Sequence, residues 1–148
     1  KQTIISDFKN GSWGKGLKYI IPGKPVAQKR HRHTKKGFTY DPSSKDKKDF
    51  IAQLSVLPKK ALKGDISLQV YFYLPYPKKY YRTGKYKGIL KDNVPYYCKS
   101  RPDIDNYIKF VMDCLNGLIY KDDSQVVDIF SNKIYATHPQ TIIIIKEI

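Results

Sequence analysis

The chain of 148 residues carries 28 Lys+Arg against 13 Asp+Glu, a formal net charge of +15, and is rich in tyrosine, with 13 Tyr and 6 Phe. That length predicts one domain spanning 1–148, large enough to bury a core without staples, and the aromatic and isoleucine content argues against the disorder that high charge can bring. No apolar run approaches membrane-spanning length, Thr141–Ile145 being far too short.

The opening residues, where Asp7 and Lys9 soon follow Ile4-Ile5, do not read as a secretory signal. Lys18–Ile21 is short and apolar and ends at Pro22, which predicts a strand running into a loop. The next segment, Pro22–Pro42, carries Lys24, Lys29, Arg30, His31, Arg32, His33, Lys35 and Lys36, and reads as a basic loop or hairpin. Ser43 or Ser44 then caps a helix with apolar positions Phe50, Ile51, Leu54 and Leu57, stopped by Pro58. Ile66–Leu74 alternates and is rich in β-formers, hence a strand.

Pro75–Ser100 mixes Lys78, Lys79, Arg82, Lys85, Lys87, Lys91 and Lys99 with six tyrosines and has no lasting period. It reads as a long mobile basic loop, and such loops in compact domains tend to serve function or be disordered. A helix is expected from about Asp103 to Asn116, because Ile104, Tyr107, Ile108, Val111, Met112 and Leu115 form an apolar stripe. Asn116-Gly117 ends it. Gln125–Ala136 reads as a strand, His138-Pro139-Gln140 as a turn and Thr141–Ile148 as a last strand, the two strands joined as a hairpin. Cys98 and Cys114 show no ligand spacing and suggest a reducing compartment.

Charge is distributed unevenly. Residues 1–99 hold 23 Lys+Arg against 6 Asp+Glu, whereas residues 100–148 hold 5 against 7. A basic body around an acidic spot suits an enzyme that grips a polyanion while holding a divalent cation against it. The positive charge lies in turn-rich segments interleaved with Tyr, His and Gly, which fits a nucleic-acid groove better than a membrane surface.

The acids themselves are Asp103 and Asp105 at the helix start and the pair Asp122-Asp123 after it. Each has an ordinary reading. Free N–H groups and the macrodipole at a helix start favour a capping Asp103, and Lys-Asp-Asp-Ser is common turn chemistry. Together they permit a second reading, in which Leu118-Ile119-Tyr120 carries Asp122-Asp123 back to the level of the helix start. Four converging carboxylates would suit Mg²⁺ or Mn²⁺. Lys109, one turn after Asp105, is either an i, i+4 partner of that aspartate or a cation for a phosphate lying over the carboxylates. Asp113 reads as a solvated helix-face acid, and His31 and His33 as part of the basic loop.

The run Arg101-Pro102-Asp103-Ile104-Asp105-Asn106 with Lys109, the helix end near Asn116-Gly117, and Asp122-Asp123-Ser124-Gln125-Val126 closely resemble the signature of the RusA family of Holliday-junction resolvases. Pro25-Val26-Ala27-Gln28-Lys29-Arg30-His31-Arg32 is similar, more loosely, to that family's basic N-terminal motif. The segment 75–100 departs from shorter members. The resemblance implies an α+β fold, a mixed sheet packed by about two helices, in a homodimer that binds four-way DNA junctions and nicks two opposed strands with Mg²⁺ or Mn²⁺. It puts catalytic acids on Asp103, Asp105 and Asp123, with Asp122 beside them, and the essential lysine on Lys109. Lys29, Arg30, Arg32, Lys35, Lys36 and Arg101 are expected to hold DNA. No organic cofactor and no membrane are expected, and the setting is the cytoplasm of a bacterial or phage-infected cell. Two other readings stay open: a non-catalytic basic nucleic-acid-binding protein, and a nuclease preferring flaps or forks.

Overall fold

The computed structural model describes residues 3–5, 16–54 and 56–148, so the stretch with Asp7 and Lys9 lies outside the described residues. The order of elements is β1 (Thr3–Ile5), β2 (Gly16–Pro22), β3 (Arg32–His33), β4 (Thr39–Tyr40), α1 (Ser44–Ala52), β5 (Ile66–Pro75), α2 (Ile104–Leu115), β6 (Val126–Ala136) and β7 (Gln140–Glu147). Five strands form one mixed sheet in the order β1-β2-β7-β5-β6, and β3-β4 is a separate hairpin. This is the expected α+β fold, two helices on a mixed sheet.

Period-2 alternation explains the sheet's packed face. Ile66, Leu68, Val70, Phe72 and Leu74 of β5 are all buried, and their register neighbours Ile145, Ile143 and Thr141 of β7 are buried beside Leu17, Tyr19 and Ile21 of β2. Each such large apolar side chain removed from water contributes about 1.5–3 kcal/mol. α2 lies on this face through Tyr107, Phe110, Val111, Cys114 and Leu115, with Phe72 and Tyr107 in ring contact at 5.1 Å. The buried stripe is therefore turned from the expected one: Ile104, Ile108 and Met112 are only half-buried, because α1 packs alongside and claims Phe110 through an edge-on contact with Phe50 at 5.6 Å.

Two boundaries differ from the sequence reading. α1 ends at Ala52, well before Pro58: Leu54 is the last residue to reach the core, and Leu57 is 45% exposed. β6 and β7 do not form a hairpin. β5 lies between them, parallel to β6 and antiparallel to β7, and the short link 137–139 crosses the end of β5. β7 is apolar enough to be flanked on both sides, which leaves the more polar β6 as the edge strand.

The 75–100 segment has little regular structure but is fastened at several points. It holds two 3-10 turns, Lys78–Tyr80 and Gly84–Tyr86, and a Tyr81–Leu90 bridge. Tyr76 stacks on Tyr135 at 4.9 Å, and Tyr96 to Cys98 bonds along β6 through Tyr135 N to Tyr96 O and Cys98 N to Lys133 O.

Candidate active site and nucleic-acid interface

Asp103 occupies the N-cap position of α2, yet its side chain makes no cap hydrogen bond. A capping role therefore does not account for it. Asp103 and Asp105 are both exposed on the first turn, and Asp105 Oδ1 accepts only the neighbouring Asn106 N–H at 3.0 Å. Lys109 is exposed one turn further on. Among the described residues no ion pair engages Asp103, Asp105 or Lys109, so the Asp105–Lys109 pair, one of the two readings of that lysine, does not form and Lys109 is available to an incoming anion.

Lys133 shapes the approach to this turn. It is a buried cation near the C-terminal end of β6 whose ammonium donates to Ser100 O at 2.5 Å and Pro102 O at 2.7 Å, with the Tyr107 ring 5.9 Å away. Sequence reasoning passed over it; a lysine inside an otherwise apolar strand end was the available signal. By holding the carbonyls just before Asp103, Lys133 fixes where α2 begins. A shallow cleft next to it is bounded by Tyr97, Asp103, Ile104 and Asn132.

The second acid pair goes elsewhere. Asp122 caps the 3-10 turn Asp123–Gln125: its Oδ2 accepts Ser124 N–H at 3.0 Å, and Gln125 Oε1 accepts Asp122 N–H at 2.9 Å. Gln125 Nε2 donates to Leu62 O and Gly64 O, pinning the turn to the loop before β5. Hydrogen bonds from Ser124 lower the Asp122 carboxyl from its ordinary value. Asp123 accepts the Tyr120 hydroxyl at 3.1 Å, and that hydroxyl lies 3.3 Å from Met112 O. Burial raises the Asp123 carboxyl, partly offset by the Tyr120 bond and reinforced by Asp113 and Asp122 nearby.

Asp123 is thus held at the level of Met112, nine residues from Asp103, or roughly 14 Å at 1.5 Å per residue. The expected return of 122–123 to the start of α2 does not occur within one protomer. Among the described residues no three His, Cys, Asp or Glu side chains gather as a metal centre requires. Asp103 and Asp105 have the hard oxygen donors a Mg²⁺ or Mn²⁺ ion prefers, but the described residues of one protomer bring them no third carboxylate.

Asp113, read from sequence as a solvated acid, is instead part of a half-buried ion cluster. Lys47 Nζ lies 2.5 Å from Asp41 Oδ2 and 3.2 Å from Asp113 Oδ2, tying α1 to α2. Burial alone would raise the Asp41 carboxyl, but hydrogen bonds from Lys47, Ser43 N–H and Gln28 prevail and hold it at about 2. Burial likewise opposes the Lys47 charge, and its bonds to Asp41 and Asp113 prevail and raise its pKa. The hydroxyl oxygen of Ser43, at the N-cap of α1, does not cap that helix but accepts Lys29 N–H at 2.9 Å. Below the cluster, burial pushes the Cys114 thiol up to about 12. Cys98 and Cys114 are both buried and not disulfide-bonded.

The expected basic segment is a hairpin, Arg32–His33 paired with Thr39–Tyr40 and turned at Gly37, whose φ of +84° suits glycine. Lys29, Arg30, Arg32, Lys35, Lys36 and Arg101 are all exposed. Gln28 N–H donates to Asn106 O at 2.9 Å, so the hairpin's foot rests on the turn that bears Asp105. The structure thereby brings the basic segment to Asp103, Asp105 and Lys109, and separates Asp122 and Asp123 from them. Among the described residues no helix is long and apolar enough to cross a membrane.

Comparison with known proteins agrees with the motif. The chain is 37% identical over 143 residues to the uncharacterized protein YqaN of Bacillus subtilis (strain 168), a match spanning 89% of this chain and 96% of that one. Residues 22–146 match the family Endodeoxyribonuclease RusA. With the signature acids, Lys109 and the basic hairpin lying inside that match, the chain belongs to the RusA endodeoxyribonuclease family.

Proposed function

We propose that the protein is a divalent-metal-dependent, structure-specific DNA endonuclease that resolves four-way junctions by paired nicking of opposed strands. The observation that carries this reading is the first turn of α2, where Asp103 and Asp105 stand exposed, with no ion pair among the described residues, next to a basic hairpin seated on Asn106. Lys29, Arg30, Arg32, Lys35, Lys36 and Arg101 hold the phosphate backbone, which makes affinity fall steeply with salt. Lys109 lies along the same helix and neutralises charge gathering on the scissile phosphate. When bound, Mg²⁺ or Mn²⁺ supplies an activated water and further neutralisation of that phosphate. We place the reaction on intracellular DNA, in the cytoplasm.

A homodimer is part of this proposal, because among the described residues one copy lacks a complete carboxylate set. Among the described residues the outer edge of β6 over 127–132 has no partner strand. It carries Val127, Ile129 and Phe130 at 59%, 42% and 56% exposure, with half-buried Ile104 beside residues 131–132 and the Phe130 ring against Tyr71 on the other face. An open apolar edge of that kind calls for a partner. In a two-fold antiparallel pairing centred on Ile129 and Phe130, residues 131–132, beside Asp103, lie opposite 127–128 of a second copy, just after its Asp122 and Asp123. Two composite sites result, one for each of two opposed strands.

Cleavage of a synthetic four-way junction, set beside flap, fork and linear duplex, tests the reading. The wild type should cut the junction selectively with Mg²⁺ or Mn²⁺, and Asp105→Asn should bind it without cutting. Cleavage by Asp105→Asn at the wild-type rate would overturn the assignment.

A further inference from the structure

Five of the six tyrosines of the 75–100 segment divide into two groups, while Tyr86 is exposed beside Lys85 and joins neither. Tyr76 and Tyr80 pack on Tyr135 and Tyr81 meets Tyr76, with ring centroids 4.9–6.5 Å apart, and Tyr76 donates its hydroxyl to Pro95 O. Tyr96 and Tyr97 do not join them. They are 61% and 64% exposed and meet each other edge-on at 4.8 Å.

Exposed aromatic rings usually sit on mobile backbone, and here the backbone is fixed. Tyr96 O accepts Tyr135 N–H at 2.9 Å, Cys98 N–H donates to Lys133 O at 3.0 Å, and Tyr97 bridges to Ile134. Lys133 then holds the carbonyls of Ser100 and Pro102. The pair is therefore presented to solvent by an anchored strand. It borders two depressions: a groove with Tyr80 and Tyr135 rimmed by Lys79 and Lys99, and the cleft that Tyr97 shares with Asp103.

We infer that Tyr96 and Tyr97 form a stacking platform for an unpaired nucleobase of the DNA, next to the strand being cut, with Lys79 and Lys99 on the flanking phosphates. This rests on the junction-nuclease reading above. The chemistry favours a base over an apolar protein segment for two reasons. The rim is cationic, as a polyanion requires. The rings offer flat faces at the border of a wide aromatic groove, and every base has a π-face to match. Neither tyrosine hydroxyl is used in a hydrogen bond among the described residues, so the rings and not the hydroxyls are what the site offers.

The test compares the wild type, Tyr96→Ala/Tyr97→Ala and Tyr96→Phe/Tyr97→Phe in the full chain without divalent metal. Two probes carry one 2-aminopurine each, a single-stranded oligonucleotide and a four-way junction labelled at the branch point. Stacking on the platform should change the probe's fluorescence with the wild type and the Phe pair but not the Ala pair, and the Ala pair should bind the single strand about tenfold or more weakly. An Ala pair that keeps the wild-type fluorescence change and affinity overturns the platform. So does an Ala pair that becomes monomeric in sedimentation, which would make the patch a subunit interface. Wild-type protein that binds junction no better than linear duplex contradicts the junction reading instead, while the single-strand probe still decides the platform.

Discussion

Gln28 and Asn106 are joined by a backbone hydrogen bond of 2.9 Å, from the N–H of the basic arm to a carbonyl in the first turn of α2. The foot of the cationic hairpin is therefore tied to the acid-bearing turn. Replacing Lys29 and Arg30 together with Ala should weaken junction binding and flatten its dependence on salt, by roughly 0.9 in the log–log slope for each phosphate no longer neutralised. Titrations at several salt concentrations measure this. An unchanged slope would remove the arm from the DNA surface.

Lys109 should affect the chemistry and spare binding. Lys109→Ala is expected to lower single-turnover cleavage by about 10²–10³, the usual cost of removing one preorganised donor at a developing charge. Junction affinity should change far less, since many other cations hold the backbone. A matched fall in affinity, with cleavage of the bound complex intact, would assign Lys109 to backbone binding instead.

The Asp41–Lys47–Asp113 cluster predicts a stability difference that depends on pH. Asp41→Asn removes a charged acceptor from half-buried Lys47 and should cost about 1–2 kcal/mol near neutrality. The Asp41 carboxyl is held at about 2 in the folded protein, below its ordinary value near 3.8, so its contribution is full above that ordinary value and is lost as pH falls toward 2. Urea unfolding of wild type and Asp41→Asn should therefore converge between about pH 4 and pH 2. A gap that stays constant across this window would mean the carboxylate charge is not what matters.

Packing between the helices is open to the same kind of test. Phe110 is 1% exposed and meets Phe50 edge-on. Phe110→Ala should destabilise the fold by about 3–5 kcal/mol, read as a lower urea midpoint. A destabilisation below about 1 kcal/mol would contradict the observed packing of α1 on α2.

Much of this was legible in the sequence where a period was strong. The β5 alternation and the α2 stripe are written in the spacing of Leu68, Val70 and Phe72 and of Tyr107, Val111 and Leu115. What local pattern could not supply was packing at long range. The side-by-side placing of α1 turned α2 toward Phe110, and β5 inserted between β6 and β7 where a hairpin was expected. The same holds at the site. The motif gave Asp103, Asp105, Lys109 and the 122–123 pair, but its reading of convergence ignored Tyr120 and Gln125, which tie the second pair to Met112 and to the loop before β5. Asp113 and Lys47, distant in sequence, gave no local signal of their ion pair.

In the proposed dimer, Asp103 of one copy and Asp123 of the other complete a single cutting site. Asp103→Asn and Asp123→Asn proteins, each inactive alone, should regain junction nicking when mixed and allowed to exchange subunits, because one of the two composite sites in the mixed dimer keeps both aspartates. The regained activity should cut one strand of the opposed pair. Mixed dimers as inactive as either parent would contradict a site shared between copies.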